Sequence, residues 1–196
     1  MKKYKPVKRE IRILGIDDGP FDKFSDNKCL VVATIFRGGN YMDGLLSCYV
    51  KVDGDDSTEK LINIITKTKH YDQLNCIMIN GISLGGFNVI DIKRLYKETK
   101  LPVIVVIRRM PDIKRIKEIL KKINKKGKIH LINKAGKVFK MKIKSRELYF
   151  QLSGISKKRA IEIIKISTTH ASIPEPIRIA HIIASGIIKG ESKGSA

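Results

Sequence analysis

The stretch Ile11-Arg12-Ile13-Leu14-Gly15-Ile16-Asp17-Asp18-Gly19-Pro20 decides how the chain reads. Its mainly apolar, β-branched start forms a strand, two carboxylates end it, and Gly-Pro forces a turn. A strand that stops on acids offers oxygens that suit a divalent cation. The two acids are not equivalent. A carboxylate closing a buried strand needs a partner or a metal, which singles out Asp17, whereas Asp18 also suits an Asp-Gly-Pro turn.

Two more β-rich runs follow, at about 29–37 and 44–52, with Arg37-Gly38-Gly39-Asn40 as a turn signal between them. Three strands so joined predict an antiparallel meander. The period then changes. Leu61, Ile62, Ile64 and Ile65 share one face of a helix over 57–69, with Asp56 and Glu59 spaced as a capping box. Residues 74–79 predict a strand, 88–98 a helix, 102–107 a buried strand and 112–124 a helix closed by Gly127. Residues 128–144 read as a basic β-hairpin, turning through Asn133-Lys134-Ala135-Gly136, with Lys140, Lys142 and Lys144 on one face. Two helices occupy 156–190, the second opened by Pro174-Glu175-Pro176. The expected architecture is a single α/β domain over 1–196, with a mixed sheet and flanking helices.

Charge is distributed unevenly. The chain of 196 residues carries a net +21; residues 1–100 hold 17 Lys and Arg against 13 acids, and residues 101–196 hold 23 against 6. The acids that could hold a metal thus fall mainly in the first half and the basic surface in the second. Such a balance attracts phosphate and predicts a nucleic-acid partner, although lysine richness equally fits solubility or adaptation to heat. No run has the length of a membrane span, and Cys29, Cys48 and Cys76 are spaced as buried thiols, not as a disulfide or zinc framework. A cytoplasmic protein without membrane contact is expected.

The metal candidates are Asp17 at the end of the first strand, Asp53, Asp55 and Asp56 after the third, and Asn80 after the fourth. Asp91 is better placed to start the following helix. The glycine-rich loop Asn80-Gly81-Ile82-Ser83-Leu84-Gly85-Gly86-Phe87-Asn88 brings backbone amides within reach of an anion but matches no nucleotide-binding fingerprint. Glu175, Arg178 and His181 recur at three-residue spacing on the last helix; if that face looks inward, Arg178 orients a carboxylate and His181 moves a proton.

These motifs together, Ile-Leu-Gly-Ile-Asp-Asp-Gly, Val52-Asp53-Gly54-Asp55-Asp56, Ile79-Asn80-Gly81 with Gly86-Phe87-Asn88, and Pro174-Glu175-Pro176-Ile177-Arg178-Ile179-Ala180-His181, resemble an archaeal family of unknown function related to endonuclease V. The resemblance covers nearly the whole chain. It implies a ribonuclease-H-like fold and a metal-dependent nuclease, with Mg²⁺ or Mn²⁺, acting next to deaminated purines. It puts Asp17 at the first-strand metal ligand, Asp53, Asp55 or Asp56 at the helix-start acid, Asn80 at a position where relatives carry Asp, and His181 where they carry His or Asp. Arg108 and Arg109 meet the position of a family lysine and, with Arg178 and the row Lys140, Lys142 and Lys144, are the expected nucleic-acid contacts. The Pro-Tyr-Ile-Pro wedge of that family is absent. The substitution at Asn80 keeps a second expectation open, a nucleic-acid-binding module without catalysis.

Overall fold

A computed structural model describes residues 6–192; residues 1–5 and 193–196 lie outside it. A seven-stranded sheet runs in the order β3-β2-β1-β4-β7-β9-β8. The meander is β1 (Arg12–Asp18), β2 (Lys28–Arg37) and β3 (Tyr41–Lys51), all antiparallel. β4 (Cys76–Asn80) and β7 (Val103–Ile107) extend the sheet parallel to β1. β9 (Arg146–Ser153) then pairs antiparallel with β7, and β8 (Phe139–Ile143) closes that edge. Parallel strands need crossovers, which α1 (Ser57–Thr66) and α2 (Ile92–Thr99) supply.

Period-2 alternation sorts each strand between two cores. Leu14, Ile16, Ile77, Ile79, Val103 and Val105 pack with Leu61, Ile65 and Leu95 from α1 and α2. Ile13, Cys76, Met78, Ile104 and Val106 pack on the other face with Ala160, Ile163 and Ile164 of α5 (Lys157–Ser167) and Ile177 of α6 (Glu175–Lys189). The next residues on this second face are Asp17, Asn80 and Arg108, at or just beyond the carboxyl ends of the three parallel strands. Asp18 falls on the first face.

Three expected elements are corrected. Residues 128–132 are not a strand: α4 (Lys128–Lys134) occupies them, because Ile129 and Ile132 share a helical face that packs with Leu120 and Val89. The hairpin is displaced to 139–153, turning at Lys144, which adopts φ 51°. Its lysine row is therefore broken: Lys140 and Lys142 stay exposed on β8, while Lys144 donates to the carbonyls of Thr169 and His170. The helix expected from 88 starts later. Asn88 and Val89 form β6, paired with β5 (Ser83–Leu84), and Asp91 caps α2 by accepting from the amides of Lys93 and Arg94. Glu59 makes no capping box and instead meets Arg94.

Lys128 shows what the displaced assignment conceals. It is 5% exposed, and its Nζ donates to the carbonyls of Asp53 (3.0 Å), Phe87 (2.7 Å) and Gly54 while facing the Asp55 carboxylate at 3.0 Å. The ammonium pins the β3–α1 loop to β6 as a bound cation would. Lys128→Met keeps the stem but strips these acceptors of their donor, so we expect a loss of about 3 kcal/mol and a fall in Tm of roughly 10 °C, read by thermal melting.

Candidate active site and basic cleft

Asp17 is 2% exposed and both of its oxygens accept hydrogen bonds. Oδ1 accepts from the Asp18 amide at 3.0 Å. Oδ2 accepts from Asn80 Nδ2 at 3.0 Å and lies 3.0 Å from His181 Nδ1. The Asp17 oxygen accepts here, so Nδ1 of His181 carries a proton. The three residues come from β1, β4 and α6, which are 63 and 164 positions from Asp17 in sequence for Asn80 and His181. α6 reaches them because Gly15 lets it lie directly on β1: a Cβ there would stand 2.3 Å from Pro176. Thr34 Oγ1 donates to the Pro176 carbonyl at 2.7 Å and fixes the helix start.

Glu175, expected on an inward row with Arg178 and His181, is buried. Burial raises its pKa, but the Arg178 guanidinium and then the amides of Ala171 and His170 outweigh this and hold it below the usual carboxylate range. Arg178 Nη2 lies 2.6 Å from Glu175 Oε2. Glu175 thus ties the α5–α6 loop to α6, and Arg178 is held in place at the edge of a cleft.

That cleft, of about 1110 Å³, is lined by Arg108, Arg109, Arg146 and Arg178 among apolar side chains that include Met110, Leu148, Ile173 and Ile182. Burial lowers the Arg108 pKa and the nearby Asp17 charge opposes this, so guanidinium and carboxylate sense one another. The cleft therefore adjoins the Asp17 cluster. Of the expected nucleic-acid contacts, Arg108, Arg109 and Arg178 meet here, whereas Lys140, which pairs with Glu147 at 2.5 Å, Lys142 and Lys144 do not line it. Arg146 escaped sequence reading because the hairpin was placed too early; the alternation of Leu148, Phe150 and Leu152 carries the signal for β9.

Asp53 and Asp56 are drawn elsewhere. Asp53, at φ 53°, accepts from the Phe87 amide at 2.7 Å, and Asp56 Oδ1 accepts from the Lys51 amide at 3.0 Å and Asn88 Nδ2 at 2.7 Å. Asp55 meets Lys128. The glycine loop does present amides to anions, but to the protein's own: Gly85 N donates to Asp18 Oδ2 at 2.7 Å. Among the described residues no three His, Cys, Asp or Glu side chains converge to hold a cation. What surrounds Asp17 is one carboxylate, one carboxamide and one imidazole. The carboxylate and the carboxamide carbonyl are oxygens of the kind a hard cation takes, with the imidazole beside them.

Asp18 carries a different cost. Burial, then repulsion from Asp17, raises its pKa from 3.8 to about 6, although the Gly85 amide favours its charge. A folded-state pKa above the unfolded value means that the folded protein is penalised at pH above about 6 and relieved as pH falls towards 3.8. Asp18→Asn keeps an acceptor for Gly85, so it should stabilise by on the order of 2 kcal/mol at pH 7.5. The gain should vanish near pH 4 in chemical denaturation. The three cysteines are free thiols, and burial pushes Cys29 and Cys76 up to about 12 and Cys48 up to about 11.

A mixed sheet with an antiparallel meander, parallel β1, β4 and β7, and a terminal helix bringing His181 to Asp17 defines the ribonuclease-H-like, endonuclease V class of fold. Endonuclease V of Bacillus subtilis superposes with a TM-score of 0.60 over 94% of this chain and 84% of that one, at 8% identity. The chain belongs to the Endonuclease dU family, whose sequence pattern matches residues 9–188, an archaeal family of unknown function related to endonuclease V. A UPF0215 protein of Methanothermobacter thermautotrophicus is 50% identical over 98% of this chain and 95% of its own length. The crystal structure of a protein of unknown function from Archaeoglobus fulgidus, 40% identical, superposes with a TM-score of 0.82 over 92% of this chain and 99% of that one. No described helix is long and apolar enough to cross a membrane.

Proposed function

We propose that this protein binds nucleic acid in the arginine cleft and cleaves a phosphodiester bond beside Asp17, as a metal-dependent endonuclease. The observation that carries this reading is the placement of Asp17, Asn80 and His181 at the carboxyl ends of parallel strands, next to a cleft lined by four arginines. Open α/β sheets bind ligands at that edge. An endonuclease V from Ciona intestinalis was crystallised with DNA containing inosine, and its fold is shared at a TM-score of 0.55 and 13% identity. Arg108, Arg109 and Arg146 engage phosphate, and the paired Arg178 frames the cleft. Asp17 holds the His181 imidazole in the Nδ1–H form, and Nε2 accepts a proton from the attacking water. Asp17, and Asn80 through its carbonyl oxygen, are the residues that would hold Mg²⁺ or Mn²⁺, beside the His181 base. Bound there, the cation would polarise the phosphate and lower the pKa of a water. Asp53 and Asp56, spent on loop hydrogen bonds, serve the scaffold.

The second reading, binding without catalysis, is favoured by the neutral Asn80 and by the single carboxylate at the centre. The deciding experiment is a cleavage assay with Mg²⁺ or Mn²⁺ on DNA and RNA that are plain or carry deoxyuridine or inosine at one position, comparing wild type with Asp17→Ala. Turnover lost in the variant supports the endonuclease. Salt-sensitive binding without turnover in either protein supports the binding module, and equal turnover in both rejects the site.

A further inference from the structure

We infer that α3 (Ile113–Lys122) is a second nucleic-acid contact, a lysine track that leads out of the arginine cleft and follows the backbone of the flanking duplex. The inference rests on the nucleic-acid reading of the cleft and extends it to a surface that reading does not use. Ile113, Ile116 and Leu120 turn one side of α3 inward, against Val89 and Ile132. About a quarter-turn round from that side, the flank of the helix carries Lys114, Lys117 and Lys121 at i, i+3 and i+7, a stripe of three ammonium groups in which Lys114 and Lys121 are exposed and Lys117 half-buried. Among the described residues no acid pairs with any of them. Elsewhere Lys140 is matched by Glu147, Lys134 by Asp91 and Lys128 by Asp55. The stripe is also continuous with the cleft. Arg108, Arg109, Met110 and Pro111 line the cleft, Asp112 caps α3 by accepting from the Arg115 amide, and the lysines follow at once.

Geometry sets the reach. From Lys114 to Lys121 the helix rises about 10 Å, the rise of roughly three base pairs at 3.4 Å each. The track therefore grips about three base pairs on one side of the cleft, independently of sequence, because ammonium groups on phosphates carry no base information.

The test uses the full chain and fluorescein-labelled duplex DNA of increasing length, titrated between 50 and 200 mM salt, with each contact to duplex phosphate contributing about 0.9 to the slope of log K against log salt. The triple variant Lys114→Gln, Lys117→Gln, Lys121→Gln changes two exposed residues and the half-buried Lys117 to a good helix former, and should fold like wild type by circular dichroism. Its slope should be shallower by about 2–3 and its affinity at 50 mM salt at least tenfold lower. Wild type should gain affinity when the duplex is lengthened by about three base pairs on one side, and the triple variant should not. Glu118→Lys, which adds a charge beside the stripe, should steepen the slope by about 1. An unchanged slope in the triple variant, or a length gain that survives it, overturns the inference while leaving the cleft intact. Failure of wild type to bind duplex at any salt overturns both the track and the reading beneath it.

Discussion

Gly15→Ala is expected to destabilise this protein by about 3–5 kcal/mol and to abolish whatever chemistry depends on His181. The added Cβ would stand 2.3 Å from both the carbonyl carbon and the Cβ of Pro176, and 2.7 Å from the Ile177 amide nitrogen. Those are mostly backbone atoms, which cannot swing aside as a flexible side chain can. The only relief is for α6 to lift from β1. Lifting it breaks the Thr34 bond to Pro176, opens the contacts of Ile177 and draws His181 away from Asp17. A contrast sits on the same helix: an added Cβ at Gly186 meets nothing, so Gly186→Ala should stabilise by about 0.5–1 kcal/mol through helix propensity. Urea denaturation of the two variants beside wild type measures both effects, and a Gly15→Ala protein as stable as wild type would show that α6 does not bear on β1 as described.

The largest expected effect on activity is at Asp17. Asp17→Asn keeps the size of the side chain and leaves the arginine cleft untouched, but removes the carboxylate that His181 and Asn80 share. Cleavage should fall by about 10³-fold or more, in line with other carboxylates that orient a catalytic histidine, with binding changed less than about threefold. His181→Gln should lose about 10²–10⁴-fold. Asn80→Asp separates the two readings of the site. It places a second carboxylate near Asp17, as the related endonuclease V pattern has it, and so should tighten Mn²⁺ binding and raise turnover. In a binding module it restores a ligand that the first protein lacks, and turnover appears only in the variant. Isothermal titration with Mn²⁺ alongside the cleavage assay reads both outcomes.

Much of the frame was legible before any coordinates. The meander, the alternation that buries β1 and the Pro174-Glu175-Pro176 start of α6 follow from residue type and period, which are local properties. The first-strand acids part because alternation sends neighbouring side chains to opposite faces: Asp17 towards α6, and Asp18, expected at the Asp-Gly-Pro turn, towards the Gly85 amide of the glycine loop. Asp91 as a cap, accepting from Lys93 and Arg94, was equally local.

Other features resisted for physical reasons. Residues 128–132 alternate well enough for a strand, yet tertiary packing of Ile129 and Ile132 beside Leu120 makes them helical. Asp53, Asp55 and Asp56 have the composition of a metal loop. Their oxygens are claimed by Phe87, Lys128, Lys51 and Asn88, partners 34, 73, 5 and 32 positions away in sequence, so only the folded chain could reveal that they were taken.

Sequence by itself determined the strand that ends on Asp17, the helix that carries His181 and the basic excess of the second half, since each depends on residues near one another or on a sum of charges. Only tertiary structure decided that Asp17, Asn80 and His181 meet, that four arginines share the adjoining cleft, and that Lys128 is buried on loop carbonyls. Distances across 164 residues depend on how the sheet and α6 pack, and that packing turns on the absence of a side chain at Gly15.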